Sequence, residues 1–239
     1  MEETLNFWRR PLDEVPDEVW RHPGLRVLIL ADTGLTALPS RIGDLRQLRT
    51  LDLGHNRITE IPPELGDLTA LSDFLYLHDN QLTALPASLS RLTVLRYLNV
   101  SGNRLTELPS EVGRLTALVE LRVQHNRLTS LPSTLGGLRS LRELWLRGNA
   151  LDRLPASVAG LSELRHLDLR ENALPAVPEA LAVLPRLRHL DLRSNRLRGL
   201  PDWLVTMPAL EKLDLRWNEV RPAPSLLAEL ARRGCVVLH

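Results

Sequence analysis

The sequence predicts an α/β solenoid, in which copies of one short unit stack side by side and form a curved parallel sheet. Asparagine recurs every 23 residues, with one interval of 24, at Asn56, Asn80, Asn103, Asn126, Asn149, Asn172, Asn195 and Asn218. A Leu-x-Leu or Leu-x-Val pair precedes each asparagine, which is the alternation of a strand with one buried face. The apolar spacing then widens to three or four residues, which favours a short helical or extended return. The bulkier returns splay the outer side, so the strands line the concave side.

The copies divide residues 1–239 into a single domain of nine full units and two caps. The units fill residues 25–224 and begin at Leu25, Leu48, Leu71, Leu95, Leu118, Leu141, Leu164, Leu187 and Leu210. Residues 1–24 are interpreted as a degenerate copy that caps the core, because stacked units need covered ends. Its predicted core positions are Leu5, Phe7, Leu12, Val15, Pro16 and Val19. Trp8 and Trp20 would then cover the first full unit.

Residues 225–239 are predicted to form the C-terminal cap. We expect a helix from about Ser225 to Arg233, ended by Gly234, because glycine favours the left-handed conformation that closes a helix. Counting forward by the repeat places Val236 and Leu238 at the two core positions of a last strand. The third unit is one residue too long before its Leu75-x-Leu77 pair, which predicts a bulge near residues 72–74.

The eight recurring asparagines are predicted to form a structural ladder inside the stack. At the end of each strand the chain turns inward and leaves backbone N–H and C=O groups without sheet partners. A carboxamide carries donors and an acceptor, so a column of them can satisfy these groups from one unit to the next. Losing one such amide would cost about 1 to 3 kcal/mol. In the first unit Thr33 stands at this position, where a hydroxyl satisfies fewer groups.

The pattern LxxLxLxxNxLxxLPxxLxxLxx is met nearly residue for residue from Leu25 to Leu230. In this pattern the chain resembles the leucine-rich repeat family. The 23-residue form with its Leu-Pro pair is similar to the intracellular subclass of Ras-suppressor-type scaffolds and bacterial leucine-rich repeat effectors. The resemblance implies a non-catalytic module that binds a protein or peptide, since this family binds proteins far more often than it catalyses. One alternative stays open, in which the chain is the targeting part of a larger enzyme or effector, for example of the ubiquitin-ligase type.

Composition limits the classes of partner. The net charge of +1, from 30 basic and 29 acidic residues, gives no field that would gather nucleic acid or anionic lipid. No apolar run approaches the ~18 residues of a membrane-spanning helix, and residues 1–11 do not resemble a secretory signal. The single cysteine fits a reducing compartment. We therefore expect a cytoplasmic monomer that needs no cofactor and binds neither nucleic acid nor membrane.

The residues between the core positions of each strand are predicted to face out across the concave surface. In units three to six this surface carries aromatic, arginine and amide groups, which are typical of the energetic centres of protein interfaces. The predicted partner-binding residues are Tyr76, Tyr97, Asn99, Arg122 and Trp145, with Arg147 and Arg170 selecting acidic groups at the rim. In units seven to nine, Asp168, Asp191 and Asp214 lie between arginine and histidine or lysine columns. That region is interpreted as a self-neutralised array or as a charged docking surface.

Catalytic and metal sites find little support in the sequence. Cys235 is a lone thiol that the repeat places beside Lys212, without a histidine near enough to activate it. His166 and His189 occupy equivalent positions on adjacent strands and could hold a metal only with awkward geometry. The chain has no glycine-rich phosphate loop, no HExxH and no GxSxG motif. We therefore expect no enzyme activity and no bound metal.

Overall fold

A computed structural model describes residues 3–221 and 223–239. Over this part of the chain, eleven strands form one open, curved sheet in strict sequence order. The strands are β1 (Thr4–Asn6), β2 (Val27–Ile29), β3 (Thr50–Asp52), β4 (Phe74–Tyr76), β5 (Tyr97–Asn99), β6 (Glu120–Arg122), β7 (Glu143–Trp145), β8 (His166–Asp168), β9 (His189–Asp191), β10 (Lys212–Asp214) and β11 (Val236–Leu238). All neighbouring pairs are parallel. The predicted α/β solenoid fold is confirmed.

The returns between strands are short 3₁₀ helices. They span Val19–Arg21, Ser40–Asp44, Pro63–Asp67, Ala87–Arg91, Ser110–Arg114, Leu135–Gly137, Ala156–Gly160, Glu179–Leu181 and Asp202–Thr206. Most begin directly after the proline of the Leu-Pro pair, as Ser40–Asp44 does after Pro39. Proline presets φ, and its carbonyl accepts the first turn's bond, as from Ile42 N to Pro39 O at 3.0 Å. These turns stack so closely that a Cβ at Gly66 would overlap the carbonyl oxygen of Ser88.

The core is a column of leucines between the sheet and the 3₁₀ helices. Leu28, Leu51 and Leu75 stand opposite one another on successive strands and are fully buried. Each of the strands β2 to β10 therefore alternates one buried leucine with two residues that face the concave side, as a parallel strand with one solvated face must. This alternation places the candidate site on the sheet.

The carboxamides of the eight asparagines bridge successive units. Asn126 illustrates the pattern: its Oδ1 accepts from Leu105 N at 3.0 Å, and its Nδ2 donates to Val100 O at 3.0 Å, both in the preceding unit. The same Nδ2 donates to Val123 O of its own unit at 3.1 Å. Because each amide joins two coils, the column fixes the spacing and rotation between them. Among the described residues, Thr33 Oγ1 bonds Leu30 O, at 2.9 Å, and Asn56 Oδ1, at 3.0 Å, and neither belongs to an earlier coil.

The N-terminal cap follows the repeat, although residues 1 and 2 lie outside the described part of the chain. Strand β1 pairs with β2 at the 23-residue offset, with Leu5 opposite Leu28. Phe7, Val15 and Val19 are buried in the core; Leu5, Leu12 and Trp20 pack against it and stay partly exposed. The expectation that Trp8 covers the first full unit is wrong: its side chain is exposed, and the Arg9 guanidinium lies 4.6 Å from its ring.

The extra residue of the third unit lies before β4 rather than within it. The pairing of β3 with β4 is regular, with Leu51 opposite Leu75, and the chain bends at Asp73. Ser72 Oγ donates to Asp73 Oδ1 at 2.9 Å, which fixes the bend. The location was predicted correctly, but no bulge interrupts the strand, because the bend lies just before β4 and keeps the backbone bonds to the neighbouring coils, from Asp73 N to Arg49 O and from Arg96 N to Ser72 O, both at 3.0 Å.

The C-terminal cap corrects the predicted register. Helix α1 spans Pro224–Arg232 and is closed by Gly234 at φ 81°, with Gly234 N donating to Ala231 O at 2.9 Å. Strand β11 is offset from β10 by 24 residues, with Val237 opposite Leu213. A shift of one residue exchanges the two faces of a strand. Val236 therefore faces out, and Cys235 is buried.

Candidate binding surface on the concave face

The concave face of units three to six carries a contiguous group of rings. We call Phe74, Tyr76, Tyr97, Arg122 and Trp145 the aromatic patch. Strand pairing sets these residues in adjacent columns, with Phe74 opposite Tyr97 and Arg122 opposite Trp145. Phe74 is 42% exposed, and the others are partly exposed. None fills the leucine core, so their apolar surface is available to solvent.

Three rings of the aromatic patch pack against one another on β4 and β5. The Phe74 and Tyr76 rings are stacked with centroids 5.7 Å apart, and Tyr97 lies 5.5 Å from Phe74 and 5.1 Å from Tyr76. Such pairs contribute about 0.5 to 1.5 kcal/mol each beyond their buried area. Burial raises the pKa of Tyr97 to about 12, so its hydroxyl is a neutral hydrogen-bond donor at physiological pH.

Arg122 joins the tyrosines to Trp145. Its guanidinium carbon lies 5.8 Å from the Tyr97 ring and 5.2 Å from the Trp145 ring, a distance at which cation–π attraction operates. Glu120 accepts from Arg122 Nε, and Glu143 accepts from Trp145 Nε1 at 3.2 Å. The guanidinium of Arg122 thus lies between two aromatic rings. The carboxylates of Glu120 and Glu143 hold Arg122 and Trp145 in place.

The expectation that Asn99 presents its amide to solvent is wrong. Its side chain is 8% exposed, because Tyr76 and Arg122 flank it on the neighbouring strands. Its Oδ1 accepts from the backbone N–H of Ser101 at 3.0 Å and from the Ser101 hydroxyl at 2.7 Å. Asn99 therefore shapes the end of β5 beneath the aromatic patch.

The concave face of units seven to nine is internally paired. We call the three pairs Asp168–Arg170, Asp191–Arg193 and Asp214–Arg216 the ionic ladder; each joins carboxylate to guanidinium at 2.7 Å. Contacts at 3.4 Å from Arg170 to Asp191 and from Arg193 to Asp214 link successive strands. The carboxylates of Asp168 and Asp214 are almost fully buried beneath these partners.

The two arginines expected at the rim already have partners. Arg170 donates to both carboxylate oxygens of Asp168, and Arg147 lies 2.8 Å from Glu171. An acidic ligand would have to displace these carboxylates, which lowers the net gain. The aromatic patch is therefore the stronger candidate for contact with a partner.

Two groups that the sequence suggested for chemistry are placed elsewhere. Cys235 is 4% exposed, and burial raises the pKa of its thiol, so the reactive thiolate is disfavoured. His166 stacks on Trp145 with ring centroids 4.3 Å apart and lies 5.8 Å from His189. Burial lowers the pKa of His166, partly offset by Asp168. His166 thus extends the aromatic surface toward the ionic ladder.

The sequence interpretation missed Phe74 and a second histidine cluster. Phe74 belongs to the same outward column as Tyr97, and that column was the signal that could have found it. Among the described residues, His55, His78 and Asp79 form a group with the donor types of a metal site. Their signal is a histidine one or two residues before the ladder asparagine in two successive units, as His55-Asn56 and His78-Asp79-Asn80.

Strand order, leucine core and asparagine column define the class of protein as a leucine-rich solenoid. A family model described as leucine-rich repeat region matches residues 16–94 and 73–153, and one described as leucine rich repeat matches residues 176–220. The chain belongs to the leucine-rich repeat family. No curated protein sequence is significantly similar to it.

Solved structures agree with this assignment. A leucine-rich repeat protein of Leptospira interrogans is 27% identical over 99% of this chain and 72% of its own, with a TM-score of 0.62. The ectodomain of the Arabidopsis thaliana receptor kinase GASSHO1/SCHENGEN3, in complex with CASPARIAN STRIP INTEGRITY FACTOR 2, is 31% identical over 91% of this chain, with a TM-score of 0.80. This chain spans 27% of that ectodomain. The leucine-rich repeats of FLRT2 share the fold, with a TM-score of 0.80 at 23% identity over 98% of this chain and 73% of the compared chain.

Within residues 3–221 and 223–239, no helix has the length and apolarity to cross a membrane.

Proposed function

We propose that the chain is a non-catalytic interaction module that binds a protein or peptide on its concave face. The observation that carries the proposal is the aromatic patch, where Arg122 lies between Tyr97 and Trp145 on a solvated sheet. Aromatic and arginine side chains dominate the binding energy of protein interfaces. The similarity to a receptor ectodomain in complex with CASPARIAN STRIP INTEGRITY FACTOR 2 supports a binding role for this fold.

In this proposal the rings of Phe74, Tyr97 and Trp145 supply buried apolar area, and Tyr97 and Arg122 supply directed hydrogen bonds. Rigid side chains on short strands lose little conformational entropy on binding, which favours affinity. Arg147 and Arg170 are given no anchoring role, because each is already paired. A ligase that uses Cys235 as its nucleophile is disfavoured by the burial of this residue, which does not bear on the alternative that the chain is the targeting part of a larger enzyme or effector. The similarity to intracellular scaffolds, the cytoplasmic location and the monomeric state remain predictions.

A displayed random-peptide library, selected on the intact protein, tests this proposal with ligands drawn from the library itself. Selected peptides should bind the wild type and lose affinity for the Tyr97→Ala/Trp145→Ala double variant. Truncating an energetically central aromatic residue costs about 2 kcal/mol, or roughly 30-fold in affinity, per residue. Titration calorimetry measures the loss, and circular dichroism checks that both proteins keep the fold.

The matched control is Trp217→Ala, because Trp217 is a more exposed ring, at 68%, outside the aromatic patch. This variant should bind the selected peptides as the wild type does. Peptides that bind the double variant with undiminished affinity, or that lose as much affinity with Trp217→Ala, would place the binding surface elsewhere.

A further inference from the structure

Three potential metal ligands meet where β3 and β4 end. The donor atoms of His55, His78 and Asp79 all lie within 4.8 Å of one another. His55 Nδ1 is 3.2 Å from Asp79 Oδ2, and the two imidazole centroids are 4.7 Å apart. Ligand atoms of a tetrahedral zinc centre, with bonds of about 2.0 to 2.1 Å, lie about 3.3 Å apart. One edge of such a tetrahedron is therefore present, and the other pairs of donor atoms, which lie within 4.8 Å, would have to close by side-chain rotation.

The backbone holds these residues in fixed positions on adjacent coils. His55 N donates to His78 O at 3.0 Å, and Asp79 N donates to Ser101 O at 2.9 Å. His55 and Asp79 occupy the same left-handed position of their units, at φ 53° and 51°. Their side chains are about half exposed, so their torsions can adjust without disturbing the core. A site on a rigid frame needs less reorganisation on binding.

Two glycines leave space for the ligands: Gly54, on the coil of His55, and Gly102, on the coil after Asp79. A Cβ at Gly54 would overlap the His78 imidazole, and a Cβ at Gly102 would overlap Oδ1 of Asp79. Backbone conformation alone does not require either glycine. Gly54 lacks a positive φ, and Gly102, at φ 64°, occupies a position that His55 and Asp79 fill in their own units. Gly148 leaves the same space over His125, so a glycine at this position makes room for the side chain of the preceding coil wherever it occurs.

The His78 ring also has an unmet need for a partner. Its Nδ1 is shielded from solvent and has no hydrogen-bond partner among the described residues. A buried polar atom without a partner costs about 1 to 3 kcal/mol. A cation bound at Nδ1 would give this atom the partner that it lacks.

We propose that His55, His78 and Asp79 bind one divalent transition-metal ion of the zinc type. Two imidazole nitrogens and one carboxylate suit Zn²⁺, Co²⁺, Ni²⁺ or Cu²⁺, whereas Ca²⁺ and Mg²⁺ prefer all-oxygen sites. Three protein ligands leave a fourth position for water or for a donor atom of another molecule. The proposal departs from the sequence-based expectation of no metal, and it does not depend on the proposed binding of a peptide.

Titration of tag-free protein with Zn²⁺, followed by calorimetry, tests the site. We expect one equivalent to bind the wild type and the affinity to fall about tenfold or more in His55→Ala, in His78→Ala and in the isosteric Asp79→Asn. Co²⁺ gives an independent readout, because a tetrahedral site produces intense visible absorption. Zn²⁺ should also raise the Tm of the wild type but not that of His55→Ala/His78→Ala.

The matched control removes the other pair of neighbouring histidines. His166→Ala/His189→Ala should keep one equivalent of Zn²⁺ at wild-type affinity. The proposal is overturned by a wild type that takes up no metal, by undiminished affinity in His55→Ala/His78→Ala, or by loss of the site in the control. Circular dichroism of each variant separates loss of ligands from loss of fold.

Discussion

The aromatic patch and the ionic ladder lie on one sheet and in the same repeat register, but they differ in how their side chains are paired. The side chains of the ladder form ion pairs with one another, whereas the rings of the patch remain partly exposed. Asn99 and Asp168 occupy the same column, and both are buried. The strand neighbours of Asn99 are Tyr76 and Arg122, which remain partly exposed, whereas Asp168 lies beneath an arginine that neutralises it. The same strand register thus carries partly exposed aromatic side chains in the aromatic patch and mutually paired charges in the ionic ladder.

The largest expected difference is in stability. Asp168→Ala removes the acceptor of the Arg170 N–H and the main acceptor of its guanidinium, which keeps only the 3.4 Å contact with Asp191, at a cost of about 2 to 3 kcal/mol. Asn99→Ala, the matched change in the aromatic region, removes a neutral acceptor and costs about 1 kcal/mol. Urea denaturation of both variants measures the contrast. Equal losses would mean that the two regions are stabilised in the same way.

A smaller effect should appear in acid, through Asp214. Burial raises its pKa, but hydrogen bonds from Arg216 and the charge of Arg193 outweigh this, and the pKa lies below its ordinary value. Such a carboxyl contributes stability that is present above the unfolded-state pKa of about 3.9 and is lost as pH falls through the folded-state value. Asp214→Asn should reduce the loss of stability below about pH 4.

Next to the aromatic patch, His78 should make the free energy of unfolding depend on pH in a different range. Burial and the neighbouring His55 lower the pKa of His78, although nearby carboxylates oppose the shift. The neutral ring therefore favours folding, and its contribution is complete above about pH 6.5 and declines as pH falls toward the folded-state pKa. In metal-free protein, His78→Gln should reduce the pH dependence of the free energy of unfolding between about pH 6.5 and 5. Denaturation at stepped pH checks both windows; an unchanged slope in His78→Gln would contradict the assignment.

The smallest effect is expected at the boundary between the two regions. Arg147 and Glu171 form an ion pair of which both side chains are more than one third exposed. Such pairs contribute about 0 to 1 kcal/mol, so Arg147→Gln should change stability by no more than about 0.5 kcal/mol. A loss comparable to that of Asp168→Ala would show that the ionic ladder extends into the sixth unit.

The spacing of the core leucines, 23 residues from Leu28 to Leu51 and 24 from Leu51 to Leu75, was sufficient to predict the fold and the register of β1 to β10. The sequence-based predictions were wrong where the size of a side chain or the length of an element changes burial in a way that the repeat spacing does not show. Asn99 is buried by the size of its neighbours Tyr76 and Arg122, which a pattern of spacings does not encode. Cys235 is buried because helix α1 replaces a 3₁₀ turn and shifts the last strand by one residue.

The asparagine column also gives the stack a direction. Asn126 serves N–H and C=O groups of the unit before it, at Leu105 and Val100, and the later units repeat this arrangement. Removing coils from the C-terminal end therefore strips the last remaining coil of an amide that satisfied its backbone. Removing them from the N-terminal end instead leaves an amide that lacks some of its own partners. Unravelling from the two ends is thus chemically inequivalent, and the first coil, built around Thr33, holds nothing before it through this column.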